Sequence, residues 1–194
     1  MPVTEARVLL LPGWQDSDAE HWQSRWQRRF GFERVQQDDW WWPRRGDWMM
    51  RLEESLLADD RPAVLVAHSL GCALVSAWAA HSQHTARVAG ALLVAPPDIA
   101  RADMPPQLQA WAPLPAPRLP FPAVAVVCDD DPYAGPQHGP ALAAAWGASL
   151  HRAGAAGHLN TASGLGDWPA GQALLAGLLR GAGLGVPAGL GDGN

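Results

Sequence analysis

Three residues of this chain have the types that nucleophilic acyl transfer uses. Ser69 stands between an apolar run, residues 63–67, and a stretch of helical composition, residues 70–80; Asp131 follows the apolar run 123–128; His158 lies in a glycine-bounded loop, G-H-L-N, after a short strand pattern at 149–152. A serine hydroxyl is a poor nucleophile until a histidine takes its proton. A buried carboxylate beside that histidine fixes its tautomer and stabilises the imidazolium. The three residues lie far apart in sequence, so a scaffold must gather them.

Residues 67–71, A-H-S-L-G, are close to the pattern G-x-S-x-G, with Ala67 in place of the first glycine. Small residues on either side let a strained strand-to-helix turn hold the hydroxyl above a sheet. A serine followed by Leu-Gly is also a common helix cap, and short motifs match by accident, so the choice rests on the rest of the chain. In parallel sheets functional groups collect at the carboxyl ends of strands. Ser69, Asp131 and His158 stand at three such ends, in the Ser, Asp, His order of α/β-hydrolases. The oxyanion formed on attack needs two donors. The backbone N–H of Leu70 is expected to be one, and the Pro12-Gly13-Trp14 turn, at Trp14, the other.

The elements that must position these groups follow from periodicity. RVLLL at 7–11 reads as a central strand ended by Pro12-Gly13. Ser17-Asp18-Ala19-Glu20 has capping-box spacing ahead of a helix with Trp22, Trp26 and Phe30 on one face. Residues 32–36 read as a weaker strand, 38–46 as a loop around Pro43, and 47–58 as a helix. Strands are expected at 63–67, 88–95, 123–128 and 149–152, and helices at 70–80, 139–146 and 170–180. Strand alternates with helix from end to end, which predicts a three-layer α/β/α domain over a mostly parallel sheet, spanning residues 1–180. Residues 181–194 lack apolar periodicity and read as a flexible tail. The proline-rich stretch 96–122 has room for only a short helix at 107–111; it reads as a loop walling a pocket, with Trp111, Leu114 and Leu119 as apolar lining and Trp111 as a substrate contact.

The remaining polar candidates each have two readings. Asp129 and Asp130 precede the proposed acid and read as solvent-facing loop residues, with Asp130 a rival to it. His68 adjoins Ser69, but neighbouring side chains at a turn diverge, so it reads as structural. His21, beside the proposed oxyanion turn, either touches substrate together with Gly13 or bonds to cleft backbone; the second is favoured, since lone histidines rarely catalyse. Trp40-Trp41-Trp42 either stacks a ligand or seals the domain, and sealing is favoured. Most of the eleven tryptophans read as packing residues.

Composition narrows the function. A chain of 194 residues with a net charge of −5 and no basic run lacks the electrostatic footprint of nucleic-acid binding. No apolar run approaches a membrane span, and the N-terminus lacks a secretory leader pattern, so a cytoplasmic protein without a membrane partner is expected. Cys72 and Cys128 both lie in apolar stretches, as buried thiols do in a reducing compartment. No cofactor motif or metal-ligand cluster is evident.

Taken together, Pro12-Gly13, Ser17, His21-Trp22-Gln23, Asp39-Trp40, AHSLGC at 67–72, LLVAPPD at 92–98, Asp131-Pro132-Tyr133, Trp146-Gly147-Ala148 and AGHLN at 156–160 resemble the small serine hydrolases typified by YdeN-like esterases and the retinoblastoma-binding protein 9 hydrolase. The resemblance runs from about residue 7 to 180. It implies a compact α/β-hydrolase without a cap domain, with nucleophile, acid and base at Ser69, Asp131 and His158. One departure is the acidic pair before Asp131, where the family more often has a polar non-acidic residue or two. The expected activity is acyl-enzyme hydrolysis of small uncharged acyl esters, as a carboxylesterase; a thioesterase or amidase on the same scaffold is a further reading. The alternative from another class is a binding protein with a weak or vestigial site, since fold does not guarantee turnover, and a protein partner stays open.

Overall fold

The computed structural model describes residues 7–192. Its elements in chain order are β1 (Arg7–Leu11), α1 (Trp22–Phe30), β2 (Glu33–Arg34), α2 (Arg45–Leu57), β3 (Ala63–His68), α3 (Leu70–Ala79), β4 (Val88–Val94), β5 (Ala123–Val127), α4 (His138–Trp146), β6 (Ser149–Arg152) and α5 (Pro169–Gly181), with short 3₁₀ turns at Thr85–Arg87, Pro106–Trp111 and Thr161–Ser163. The six strands form one parallel sheet in the order β2-β1-β3-β4-β5-β6.

Apart from Arg7 at the start of β1 and His68 at the end of β3, the central strands carry no polar side chain, because helices cover both sheet faces. Alternation divides them between two cores. Leu9, Leu11, Leu65, Ala67 and Leu93 face one core with Trp48, Trp78 and Trp146 from α2, α3 and α4. Val8, Leu10, Val64, Val66, Leu92 and Val94 face the other with Trp22 and Trp26 of α1 and Leu175 and Leu179 of α5. Among the described residues six tryptophans are fully buried, four of them indole donors to backbone carbonyls: Trp22 to Leu159, Trp26 to Asp167, Trp48 to Asp39 and Trp111 to Pro43.

Strand order places the site. The chain leaves β1 toward β2 and then crosses back to β3 on the other side of β1, so the loops after β1 and β3 part in opposite directions and leave a crevice between them. The proposed oxyanion turn and Ser69 lie on its two sides.

Several expectations are corrected. Residues 32–36 contribute only Glu33 and Arg34 to the sheet. Ser17 does not cap α1: the helix starts later, at Trp22, and His21 is its cap, accepting the Gln23 N–H at Nδ1. Ser17 instead donates to Gln23 Oε1 at 2.8 Å. The stretch after α5 is not detached from the domain over its described part, because Leu184 and Leu190 are buried against Leu175 and Leu179. Two isolated leucines in a glycine-rich segment leave no period to read, yet each fills a hole. Among the described residues, no helix is long and apolar enough to cross a membrane.

Candidate active site

The turn between β3 and α3 carries Ser69 at φ 54°, ψ −120°, a strained conformation for a residue with a side chain. Its surroundings maintain the strain. The Ser69 N–H donates to Val94 O at 2.9 Å, continuing the β3–β4 ladder past the strand end, while its carbonyl accepts from Cys72 N–H at 2.8 Å to start the helix. Gly71 is required because a methyl group there would overlap the Leu11 carbonyl. Gly13 is required from the other side: a methyl group there would lie 2.9 Å from Ser69 Cβ. Ala67, the departure from the common motif, is fully buried between β1 and β4 and its methyl group fits.

His158 comes from the loop after β6. Its Nε2 lies 2.8 Å from Ser69 Oγ, and its Nδ1 lies 3.0 and 2.9 Å from the two oxygens of Asp131. The Asp131 carboxylate is nearly inaccessible and also accepts the Tyr133 N–H at 2.9 Å. With Nδ1–H donating to Asp131, the lone pair of Nε2 is directed at the serine hydroxyl, the tautomer a general base needs. Asp130 faces another group: its Oδ1 accepts the Gly157 N–H at 2.8 Å. Asp129 pairs on the surface with Arg152.

The crevice at Ser69 has a volume of about 700 Å³. Gly13, Trp14 and Leu70 lie in it beside Ser69. Leu70 is the first residue of α3, where a backbone N–H has no acceptor in its own helix. The turn carrying Trp14 is held from outside. Gln15 and Asp16 both adopt positive φ, at 68° and 65°, and the Gln15 N–H donates to Trp40 O and Trp14 Nε1–H to Trp41 O. Asp39 in turn accepts the N–H groups of Trp41 and Trp42. The tryptophan run thus buttresses this turn through its backbone. Trp40 packs on Trp48, while Trp41 and Trp42 point outward.

The wall from the proline-rich loop is made by Pro97, Met104 and Leu108, not by the residues expected. Trp111 is fully buried, its ring edge-on to Trp48 and its indole bonded to Pro43 O, and Leu119 is buried in the same core. The 3₁₀ turn sends Leu108 toward the crevice and Trp111 into the core, a division that proline-rich sequence does not announce. The opposite wall is polar: Asp16, Ser17, Asp18, His21, Asn160 and Thr161. Asp16 is paired with Arg34 at 2.7 Å, and Asp18 accepts the Thr161 hydroxyl at 2.7 Å.

His21 is buried in that wall. Its Nδ1 accepts from Gln23, so Nε2 carries the proton, and no group among the described residues accepts it. Burial, opposed by Asp18 and reinforced by Arg34 and His158, pushes this imidazole down to about 4. His68, also buried, is held well below its ordinary value by burial and by His21 and His158. Gln23 stands in the sequence only as part of the His21-Trp22-Gln23 resemblance, with no role assigned to it. Its fully buried amide donates to Leu11 O and Val66 O, tying α1 to the strands beneath the site. Among the described residues, no group of three or more His, Cys, Asp or Glu is placed to hold a metal ion.

A strained serine turn over a parallel sheet, with Asp and His presented from later strand ends, defines an α/β-hydrolase. The serine hydrolase family model matches residues 8–177, and the chain belongs to that family. Among solved structures, it is similar to a YdeN-like hydrolase of Pectobacterium atrosepticum, at 30% identity and a TM-score of 0.76, over 92% of this chain and 89% of that one. The ydeN gene product of Bacillus subtilis shares the fold at 21% identity and a TM-score of 0.72, over 91% of this chain and 100% of that one. A carboxylesterase of Bacillus cereus shares it at 14% identity and 0.55, over 84% and 87%. The chain matches no curated protein.

Proposed function

We propose that Ser69, His158 and Asp131 act as nucleophile, base and acid in acyl-enzyme hydrolysis, and that the substrates are small, uncharged acyl esters. The observation that carries this reading is the bridge made by His158, 2.8 Å from Ser69 Oγ on one side and within 3.0 Å of both oxygens of buried Asp131 on the other. Ser69 Oγ attacks the acyl carbonyl as its proton passes to His158 Nε2. The oxyanion lies toward the N–H groups of Trp14 and Leu70, and Asp131 stabilises the imidazolium. Collapse expels the alcohol, which takes the proton from His158. Water then attacks the acyl-enzyme with His158 as base, releasing the acid and free Ser69.

The walls support this substrate class. Pro97, Met104 and Leu108 offer an apolar surface to an acyl or alkyl group, and no lysine or arginine is among the described lining residues to draw an anion. The fold shared with a carboxylesterase of Bacillus cereus agrees with an ester substrate. The decisive experiment is intact-protein mass spectrometry after fluorophosphonate treatment, with Ser69→Ala and His158→Ala beside the wild type. The expected result is one adduct, absent in Ser69→Ala and slow to form in His158→Ala. A folded wild-type protein that takes no adduct overturns the proposal in favour of a binding protein on a hydrolase scaffold. Parallel assays of esters, acyl thioesters and amides then decide the leaving group.

A further inference from the structure

The base of this site hangs on a loop. Residues 153–160 hold no helix or strand, and Gly154, Gly157 and Leu159 all adopt positive φ. Yet His158 Nε2 must stay within hydrogen-bond reach of Ser69 Oγ through every turnover. Its geometry is therefore set by whatever fixes the backbone on either side of it.

That backbone is held by side chains from three other parts of the chain. Asp130 accepts the Gly157 N–H at 2.8 Å, Trp22 donates its indole N–H to Leu159 O at 2.8 Å, and the His68 ring reaches the carbonyl of His158 itself, with Nε2 2.8 Å from that oxygen. A carbonyl only accepts, so His68 carries its proton on Nε2. The His68 bond differs from the other two in its origin. His68 is the last residue of β3 and the neighbour of Ser69, so one rigid backbone segment holds the nucleophile directly and the base through one hydrogen bond. The contact closes a ring: Ser69 Oγ to His158 Nε2, through the His158 residue to its carbonyl, back to His68 Nε2 and along the chain to Ser69. His68 is buried at 5% exposure, packed edge-on against His21 at 4.7 Å and against the His158 ring at 5.0 Å, so its imidazole has little freedom to turn away.

We propose that His68 is a positioning residue, which locks the distance between nucleophile and base by donating from Nε2 to the His158 carbonyl. The proposal rests on the assignment of Ser69 and His158 as nucleophile and base. It takes the side chain next to the nucleophile from a bystander at a crowded turn to the part that makes the Ser–His distance independent of loop motion. A displacement of the base on the order of 1 Å is enough to cost about a hundredfold in rate.

The test compares two amides that bury similar polarity but differ in reach. Glutamine places its amide nitrogen near the position of imidazole Nε2 and can still donate to the His158 carbonyl; asparagine stops one carbon short. His68→Gln, His68→Asn and His68→Leu are compared for fluorophosphonate labelling rate, for kcat and KM on a nitrophenyl ester, and for hydrogen exchange of the peptide covering residues 154–162. The expected result is that His68→Asn and His68→Leu label and turn over about tenfold to a hundredfold more slowly at little-changed KM, with faster exchange of that peptide. His68→Gln recovers most of the rate. Equal labelling rates in the Gln and Asn variants overturn the proposal, as does a folded His68→Leu protein that labels at the wild-type rate. If His68→Leu does not fold, the two amides still decide. A folded wild-type protein that takes no label overturns the serine hydrolase reading instead, and the exchange measurement then shows separately whether His68 holds the loop.

Discussion

Asp130 Oδ1 accepts the backbone N–H of Gly157 at 2.8 Å, so the carboxylate next in sequence to the proposed acid holds the loop of the base and not its ring. Two adjacent aspartates after β5 thus divide two tasks. Asp131 is buried against the imidazole, and Asp130 faces the backbone one residue before it.

This division predicts different losses. Asp131→Asn leaves the shape intact but supports the wrong imidazole tautomer, and kcat is expected to fall by about 10⁴-fold. Asp130→Asn exchanges a charged acceptor for a neutral one at the same place, and the loss is expected to stay below about tenfold. Steady-state kinetics of the two variants on one ester checks the assignment. The opposite order would make Asp130 the acid.

The serine turn makes a prediction about stability. Gly71→Ala drives a methyl group into the Leu11 carbonyl, between backbone atoms that cannot move independently, and is expected to destabilise the fold by about 3 kcal/mol or more. Gly13→Ala meets Ser69 Cβ at 2.9 Å, a milder approach than the one at Gly71. Its cost is expected in kcat, by displacing the proposed oxyanion turn from the proposed nucleophile, with a smaller change in urea midpoint. Paired denaturation and kinetic measurements separate the two.

Stability is expected to fall as pH drops from 7 to 5. The His21 imidazole is neutral in both states above its ordinary value of 6.5, but below that pH the unfolded chain takes up a proton that the folded protein refuses until about pH 4. The unfolded state binds more protons throughout that window, so the free energy of unfolding rises with pH there, by about 2 kcal/mol between pH 5 and 7 from His21 alone. His68 acts in the same direction. Asparagine at position 21 keeps an acceptor for the Gln23 N–H and removes the titration. Urea unfolding at both pH values should show a smaller drop for His21→Asn, and an equal drop would refute the assignment.

The division of the proline-rich loop bears on selectivity. Met104→Trp enlarges the apolar wall and is expected to lower kcat/KM for long acyl chains while sparing acetyl esters. Trp111→Ala removes a fully buried indole instead, and is expected to cost about 3 to 5 kcal/mol of stability. A chain-length series beside thermal denaturation tests both.

Much of this protein was legible in one dimension because strands buried on both faces write themselves as unbroken apolar runs. Residues 7–11, 63–67, 88–95 and 123–128 announced the sheet, and Ser69, Asp131 and His158, each after a strand, are the three side chains that the structure brings within hydrogen-bond distance. Local pattern also accounts for Gly71, since the serine motif carries its steric reason with it. Tertiary structure decided what depends on contacts between distant residues. Which of two neighbouring aspartates meets the imidazole is set by the path of the loop after β6, 27 residues away. Which face of the proline-rich turn lines the crevice is set by the core that claims Trp111. The roles of Gln23 and His68 arise where α1, β3 and the His158 loop converge, and those partners lie 43 and 90 residues distant. Periodicity records which face of an element is buried; it holds no record of which partner waits there.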